Sequence, residues 1–249
     1  METCTNEKKR IVLAVFYIAI FTKQFYLLPS GSIGIADLFF AAAGILTLYT
    51  AWKNEKKVWY QEDSPWIVFL IFVTIINGIY FIQTSKWNLP LHTLYWLYSA
   101  FLIWTFRTLY SEYFMAGLCW VCRLNLLFQV IVLISGRGRY FHETWGGARF
   151  MGTFNDPNQF AFFIFTMILV LFMEYRRKAV YTAKARIGFW GMFLVGVFLI
   201  VKAKSTGMFV GLMVFFAVLA WQFFWDKCCH SKQKKVWWFG GAAVLVLLA

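Results

Sequence analysis

Long apolar runs separated by short clusters of charge are the feature that most constrains this chain. Crossing a hydrocarbon core of about 30 Å takes about 20 mostly apolar residues. The chain is 61% hydrophobic and 14% charged, whereas a soluble domain is about 45–50% apolar and about 25% charged. We therefore predict an all-α, polytopic integral membrane protein, with residues 1–249 forming one transmembrane domain of about nine helices. The predicted spans are roughly 11–28, 33–52, 65–83, 90–107, 115–135, 158–174, 187–202, 206–225 and 236 onward.

The prolines support these boundaries. All four lie at or beside the ends of runs, namely Pro29, Pro65, Pro90 and Pro157. Helix breaking is harmless at those places. Ser64-Pro65 and Asp156-Pro157 each place a capping residue before a proline at the first helical position. Both dipeptides therefore predict helix N-termini.

The basic residues predict the orientation. Of the 24 lysines and arginines, 16 fall in alternate loops beginning with the N-terminus, 7 fall in the opposite loops, and Arg123 lies inside a span. Basic residues favour the cytoplasmic side, so we expect a multi-pass protein with a cytoplasmic N-terminus. The same bias accounts for the net charge of +13 without a nucleic-acid partner. The last run stops at Leu247-Leu248-Ala249 without a polar flank, so we expect the sequence to be a piece of a longer protein.

The segment 136–157 is the longest predicted loop, and this orientation places it on the outer face. Loops longer than about 12–15 residues are often functional. Three of the seven outer basic residues lie in it, against the general bias: Arg137, Arg139 and Arg149. This concentration of charge predicts a role for the loop.

Two helix N-termini are expected beside these cations, because predicted spans 6 and 8 both run inward. They begin at Asp156-Pro157-Asn158 and near Ser205-Thr206-Gly207. Free amides and the helix dipole favour anions there, and arginine binds phosphate through two parallel hydrogen bonds. With Arg149, Lys202 and Lys204 nearby, the sequence predicts a pyrophosphate or sugar-phosphate site. The alternatives are that these cations solvate loop ends or pair with lipid phosphate, and that Asp156 only caps its helix.

Charges inside the spans are few. Arg123, with Asn125 beside it, lies near the middle of the fifth span, and Asp37 lies in the outer part of the second. An intramembrane charge by default faces a cavity or a partner. An Arg123–Asp37 pair and a substrate path are both open interpretations for Arg123, while packing or polar capping is expected of Asp37.

No metal site is expected, because no His/Asp/Glu cluster has ligand spacing. Cys119 and Cys122 lie in an apolar run, so they are expected to pack as small apolar residues. His142 is the one histidine of the outer loop, where it is either a base or an inert surface residue.

The motif Arg149-x-x-Gly152-Thr153-Phe154-x-x-Pro157-Asn158-Gln159, opening an outward-starting span, resembles the bacterial O-antigen ligase and O-antigen polymerase superfamily. Lys204-Ser205-Thr206-Gly207 is similar to the second polar motif of that family, although many members carry Ser-Arg there. Asp37, after Ile33-Gly34-Ile35, is similar to an acidic position in the family's second span.

The resemblance implies a multi-span fold like that of the lipid-linked (GT-C-like) glycosyltransferases. It implies a membrane enzyme of cell-surface polysaccharide biosynthesis in the bacterial cytoplasmic membrane. The enzyme would transfer an undecaprenyl-pyrophosphate-linked glycan to a hydroxyl of an acceptor glycan or lipid, without a cofactor or metal. The implied diphosphate-binding residues are Arg149, Lys202, Lys204, Asn155 and Asn158. Implied supporting residues are Arg123, Asp37, Ser205, Thr206, Arg137 and Arg139.

Polymerase and ligase remain open, because they differ only in the acceptor. The family's large outer loop would follow the last run, so we expect the C-terminal part of the domain to be missing and this piece to be inactive alone. A transporter or flippase is the second hypothesis, with Arg123 and Asp37 lining the path. A non-catalytic membrane subunit that docks a partner through its outer loop is the third.

Overall fold

The computed structural model describes residues 2–25, 34–53, 61–143, 147–177 and 182–229. Within them the chain forms eight long α-helices, one short 3₁₀ helix at Gln61–Asp63, and one β-hairpin. The helices are α1 (Glu2–Thr22), α2 (Ile35–Lys53), α3 (Ser64–Thr84), α4 (Asn88–Leu109), α5 (Glu112–Ile134), α6 (Pro157–Arg177), α7 (Ala183–Ala203) and α8 (Thr206–Cys229).

Five of these helices are long and apolar enough to cross a membrane by length and composition: α2, α3, α5, α6 and α7. In α1 and α8 the apolar stretches are shorter, at Arg10–Thr22 and Thr206–Gln222. The helical, membrane-type architecture predicted from the apolar runs is confirmed at this level. The ninth predicted span, from residue 236 onward, lies outside the described residues.

The segment predicted as an irregular outer loop contains a β-hairpin, so the all-α prediction was incomplete. Strands β1 (Arg139–Glu143) and β2 (Gly147–Gly152) pair antiparallel, with Phe141 opposite Arg149. Gly147 and Gly152 have φ of 70° and 59°, a region that glycine enters without steric penalty. The adjacent aromatics Tyr140 and Phe141 favour extended backbone, and the helical pattern is interrupted here.

The hairpin lies against the core between α5, α6 and α7. Phe150 of β2 is buried edge-on against Phe160 of α6, with ring centroids 5.3 Å apart. Phe154, in the turn that follows β2, packs on the same ring at 5.8 Å. These aromatic contacts fix the hairpin on the end of the helix bundle.

Small residues let α6 and α7 approach closely, as is usual between membrane helices. A Cβ on Gly196 would come within 2.2 Å of the Cγ2 of Ile168, so α7 can pack here only with glycine. Cys119 and Cys122 are buried in the apolar core around α5, which confirms the packing role predicted for them.

The two predicted helix caps have different outcomes. Asp156 caps α6, because its Oδ1 accepts hydrogen bonds from the amides of Asn158 (2.8 Å) and Gln159 (2.9 Å). The cap predicted at Ser64 is wrong. Ser64 is the first residue of α3 and its hydroxyl donates to the Gln61 carbonyl at 2.7 Å.

Candidate anion site

Arg149 joins three elements at the hairpin end of the bundle. It lies in the middle of β2 and is half-buried. Its Nε donates to the carbonyl of Ala203, the last residue of α7, at 3.0 Å. Its Nη2 donates to the Oδ1 of Asn158, in the first turn of α6, at 2.9 Å. The guanidinium therefore holds the hairpin to both helices.

Ser205 brings the second predicted motif to the same point. Its hydroxyl, which is buried, donates to Asn158 Oδ1 at 2.9 Å. The amide oxygen of Asn158 thus accepts from Arg149, 9 residues away in sequence, and from Ser205, 47 residues away. Two motifs far apart in the chain share one hydrogen-bond acceptor.

Lys204 lies between α7 and α8 in the left-handed conformation, with φ of 48°. It is exposed, and its amide donates to the Val201 carbonyl to end α7. A Cβ on Gly147 would lie 3.4 Å from the Lys204 Nζ. The ammonium therefore sits beside the start of β2, the strand that carries Arg149.

Only one of the two helix N-termini offers free amides. The amides of Asn158 and Gln159 in α6 are taken by the Asp156 carboxylate, which corrects the prediction that both termini would bind an anion. Thr206 and Gly207 begin α8 and are exposed, and within the described residues neither amide donates a hydrogen bond. The positive end of the α8 dipole is thus open beside Lys204.

The other cations predicted for the site, Arg139, Arg137 and Lys202, lie at different places on or beside the hairpin and on α7. Arg139 of β1 is exposed and donates to the side chain of Asn155, at the end of the hairpin. Arg137 is exposed before β1. Lys202 instead lies over the ring of Phe198, one turn earlier in α7, at 5.5 Å. Its described contact is therefore along α7 and not with Arg149.

Of the two open interpretations of Arg123, the pairing with Asp37 is not the one that the structure has. Asp37 accepts from Lys23 Nζ at 3.1 Å, from the Tyr98 hydroxyl at 3.1 Å and from the Gly34 amide at 2.7 Å. It lies in the first turn of α2, and its carboxylate is satisfied there. Arg123 is midway along α5, over the ring of Trp120 at 5.4 Å. The difference in depth along the bundle separates the two charges.

A buried amide pair beneath the hairpin was missed from the sequence. Gln129 of α5 donates to Gln24 at 2.7 Å and to Thr153 at 2.8 Å. Both glutamines are fully buried, so these bonds link α5 to the segment that follows α1 and to the turn that follows β2. The signal was present, because Asn125 and Gln129 share one helical face inside an apolar run.

His142 is exposed in β1. In the described ranges, no group of three or more His, Cys, Asp or Glu residues could hold a metal ion.

Comparison of the chain with protein-family models, curated proteins and solved structures gives no match.

Proposed function

We propose that the protein is a membrane glycan polymerase or ligase. It transfers a glycan from undecaprenyl pyrophosphate to a hydroxyl of an acceptor glycan or lipid, at the outer face of the bacterial cytoplasmic membrane. One observation carries this proposal. The two motifs that resemble the O-antigen ligase and polymerase superfamily, around Arg149 and around Ser205, meet at the side chain of Asn158.

The electrostatics of this end of the bundle support a diphosphate ligand. Arg149, Lys204 and Arg139 bring positive charge to the hairpin, and the first amides of α8 add free donors. A diphosphate that leaves a sugar gains negative charge as the bond breaks. Donors fixed in place before the reaction stabilise that charge without having to reorganise.

The proposed reaction needs no change of oxidation state. An oxygen of the acceptor hydroxyl forms a bond to the anomeric carbon of the lipid-linked glycan. The bond from that carbon to the diphosphate oxygen breaks, and the electron pair leaves with the diphosphate. The hydroxyl proton is released, so the products are the extended glycan and undecaprenyl pyrophosphate.

The residues have separate tasks in this reaction. Lys204 and the α8 amides bind the diphosphate. Arg149 contributes charge and, through Asn158 and the Ala203 carbonyl, positions the hairpin over α6 and α7. Ser205 fixes the orientation of the Asn158 side-chain amide. Arg139 supports the site by a hydrogen bond to the Asn155 side chain and by its positive charge.

The proposed sidedness is testable apart from the chemistry. In a variant whose native cysteines are replaced, Arg137→Cys should react with a membrane-impermeant maleimide added to spheroplasts. Lys53→Cys, at the end of α2, should react only after the membrane is opened. The reverse pattern would contradict an outer hairpin and with it the proposed site.

The catalytic proposal is tested by supplying full-length protein with lipid-linked repeat units and following glycan length and released lipid diphosphate. A transporter would instead move the lipid-linked glycan across the bilayer without lengthening it. A non-catalytic subunit would do neither, and deletion of the hairpin residues 139–152 would disturb assembly alone.

A further inference from the structure

Arg123 occupies the middle of a membrane-type helix, and no carboxylate in the described part of the chain forms an ion pair with it. It lies 11 residues from Glu112 and 11 from Ile134, the two ends of α5. At 1.5 Å per residue it is about 16 Å from either end, close to half the thickness of a hydrocarbon core of about 30 Å. An extended arginine side chain does not reach the lipid phosphates from that depth.

The described contact of Arg123 is with the ring of Trp120, at 5.4 Å. The described ion pairs join Lys23 to Asp37, Arg107 to Asp63 and Arg177 to Glu174, and none in the described ranges includes Arg123. A charge at mid-depth is costly unless it is paired, and the face of one tryptophan neutralises no charge.

The face of α5 around Arg123 is open and apolar. Trp120, Leu124, Leu127 and Ile131 each remain 47–63% exposed. They follow one another at intervals of three and four residues, which places them on one side of the helix. The opposite side of α5 packs against α1, α6 and α7, so this face borders either lipid or another helix.

The described helices supply no carboxylate at this depth. The acidic residues are Glu2, Glu7, Asp37, Glu55, Glu62, Asp63, Glu112, Glu143, Asp156, Glu174 and Asp226. Those in described helices lie within two turns of a helix end. In the described helices, therefore, neither this chain nor a second copy of it places an acid at the middle of a span.

We propose that this face of α5 docks a transmembrane helix of a different protein that carries a carboxylate at mid-depth. The carboxylate pairs with Arg123, and the apolar side chains of the partner pack on Trp120, Leu124 and Leu127. Charge complementarity selects this occupant, because an uncharged helix leaves the arginine unpaired. The inference is independent of the proposed glycan transfer.

Two synthetic peptides test the pairing. Both are Leu/Ala-rich membrane-spanning helices, one with a single central Asp and one with Leu at that position. Their association with the full 249-residue chain is measured by energy transfer in liposomes. The Asp peptide should bind at least about tenfold more tightly than the Leu peptide, as expected for an ion pair in a medium of low dielectric constant.

Charge variants make the result specific. Arg123→Gln should abolish the preference for the Asp peptide, whereas Arg123→Lys should retain most of it. Arg176→Gln, which removes an exposed charge at the end of α6, is the matched control and should retain it fully. Equal binding of the two peptides to the native chain, or a preference that survives in Arg123→Gln, would overturn the proposal.

Photocrosslinking in native membranes identifies what covers the face. With p-benzoylphenylalanine at position 124, an intermolecular adduct that is lost in Arg123→Gln supports the partner helix. The same probe at Ile75 of α3, which is 54% exposed, is the control for general contact with lipid. A link to residues 236–249 of the same chain, or lipid adducts alone at both positions, would overturn the proposal.

Discussion

Replacing Arg149 tests whether its charge, its two hydrogen bonds or both are needed. Arg149→Ala removes the bonds to the Ala203 carbonyl and to Asn158, together with one positive charge. Loss of one donor that stabilises developing charge lowers kcat by about 10² to 10³-fold. Arg149→Lys keeps the charge, but the single ammonium group of lysine cannot donate to both the Ala203 carbonyl and Asn158. Losing one hydrogen bond of about 1.4 kcal/mol gives about a tenfold loss.

The assay is transfer from lipid-linked repeat units by protein in nanodiscs, under single-turnover conditions. Hydrogen exchange of the β1–β2 amides reports in parallel whether the hairpin remains in place, and Arg176→Ala is the control for loss of charge elsewhere. If Arg149→Ala and Arg149→Lys lose equal activity, and the hairpin amides exchange freely in both variants, then the role of Arg149 is only to position the hairpin. Activity of Arg149→Ala within about threefold of the native value, with a protected hairpin, would refute the reasoning.

Three further substitutions follow from the geometry. Gly152→Ala should lower the free energy of unfolding by about 2–4 kcal/mol, because φ is 59° and the new Cβ would lie 2.1 Å from Gln129 Oε1. Thermal unfolding measures this, and an unchanged midpoint would contradict that packing. Asp156→Ala should cost about 1 kcal/mol by uncapping α6, while Asp156→Asn should restore most of it; equal losses would show that the negative charge matters instead. Lys204→Gln should raise KM for the lipid diphosphate by about tenfold with the fold intact. An unchanged KM would show that Lys204 does not bind the diphosphate.

The helices could be predicted because their signals are local. Apolar runs identify the eight helices that the structure describes, with ends that differ by a few residues, and prolines lie in the first turn of three of them, α3, α4 and α6. Asp156-Pro157 identified the start of α6 and its cap. Ser64-Pro65 gave a wrong cap, because the residue before α3 is Asp63, and its side chain pairs with Arg107 rather than capping the helix.

The hairpin and the partners within the site depend on tertiary contacts, which periodicity does not encode. Short strands in a polar segment have a weak signal, and β2 is held in place by tertiary contacts such as the packing of Phe150 on Phe160. The proximity of the segments around Arg149 and Ser205 was expected, since both were assigned to one anion site, but their shared acceptor, Asn158, was not. The pairing of Lys23 with Asp37, 14 positions away, was not expected, because it depends on how α1 packs against α2.

Glycan transfer itself is measured by incubating purified full-length protein, reconstituted in liposomes, with an undecaprenyl-pyrophosphate-linked repeat unit. We expect a ladder of longer glycans, or transfer to an added acceptor, with one undecaprenyl pyrophosphate released per bond formed. Lys204→Gln and Arg149→Ala should reduce both products together. If full-length protein binds the lipid-linked unit but forms no new glycosidic bond, or if the double variant keeps the native rate, the protein is not a glycan polymerase or ligase that uses this site.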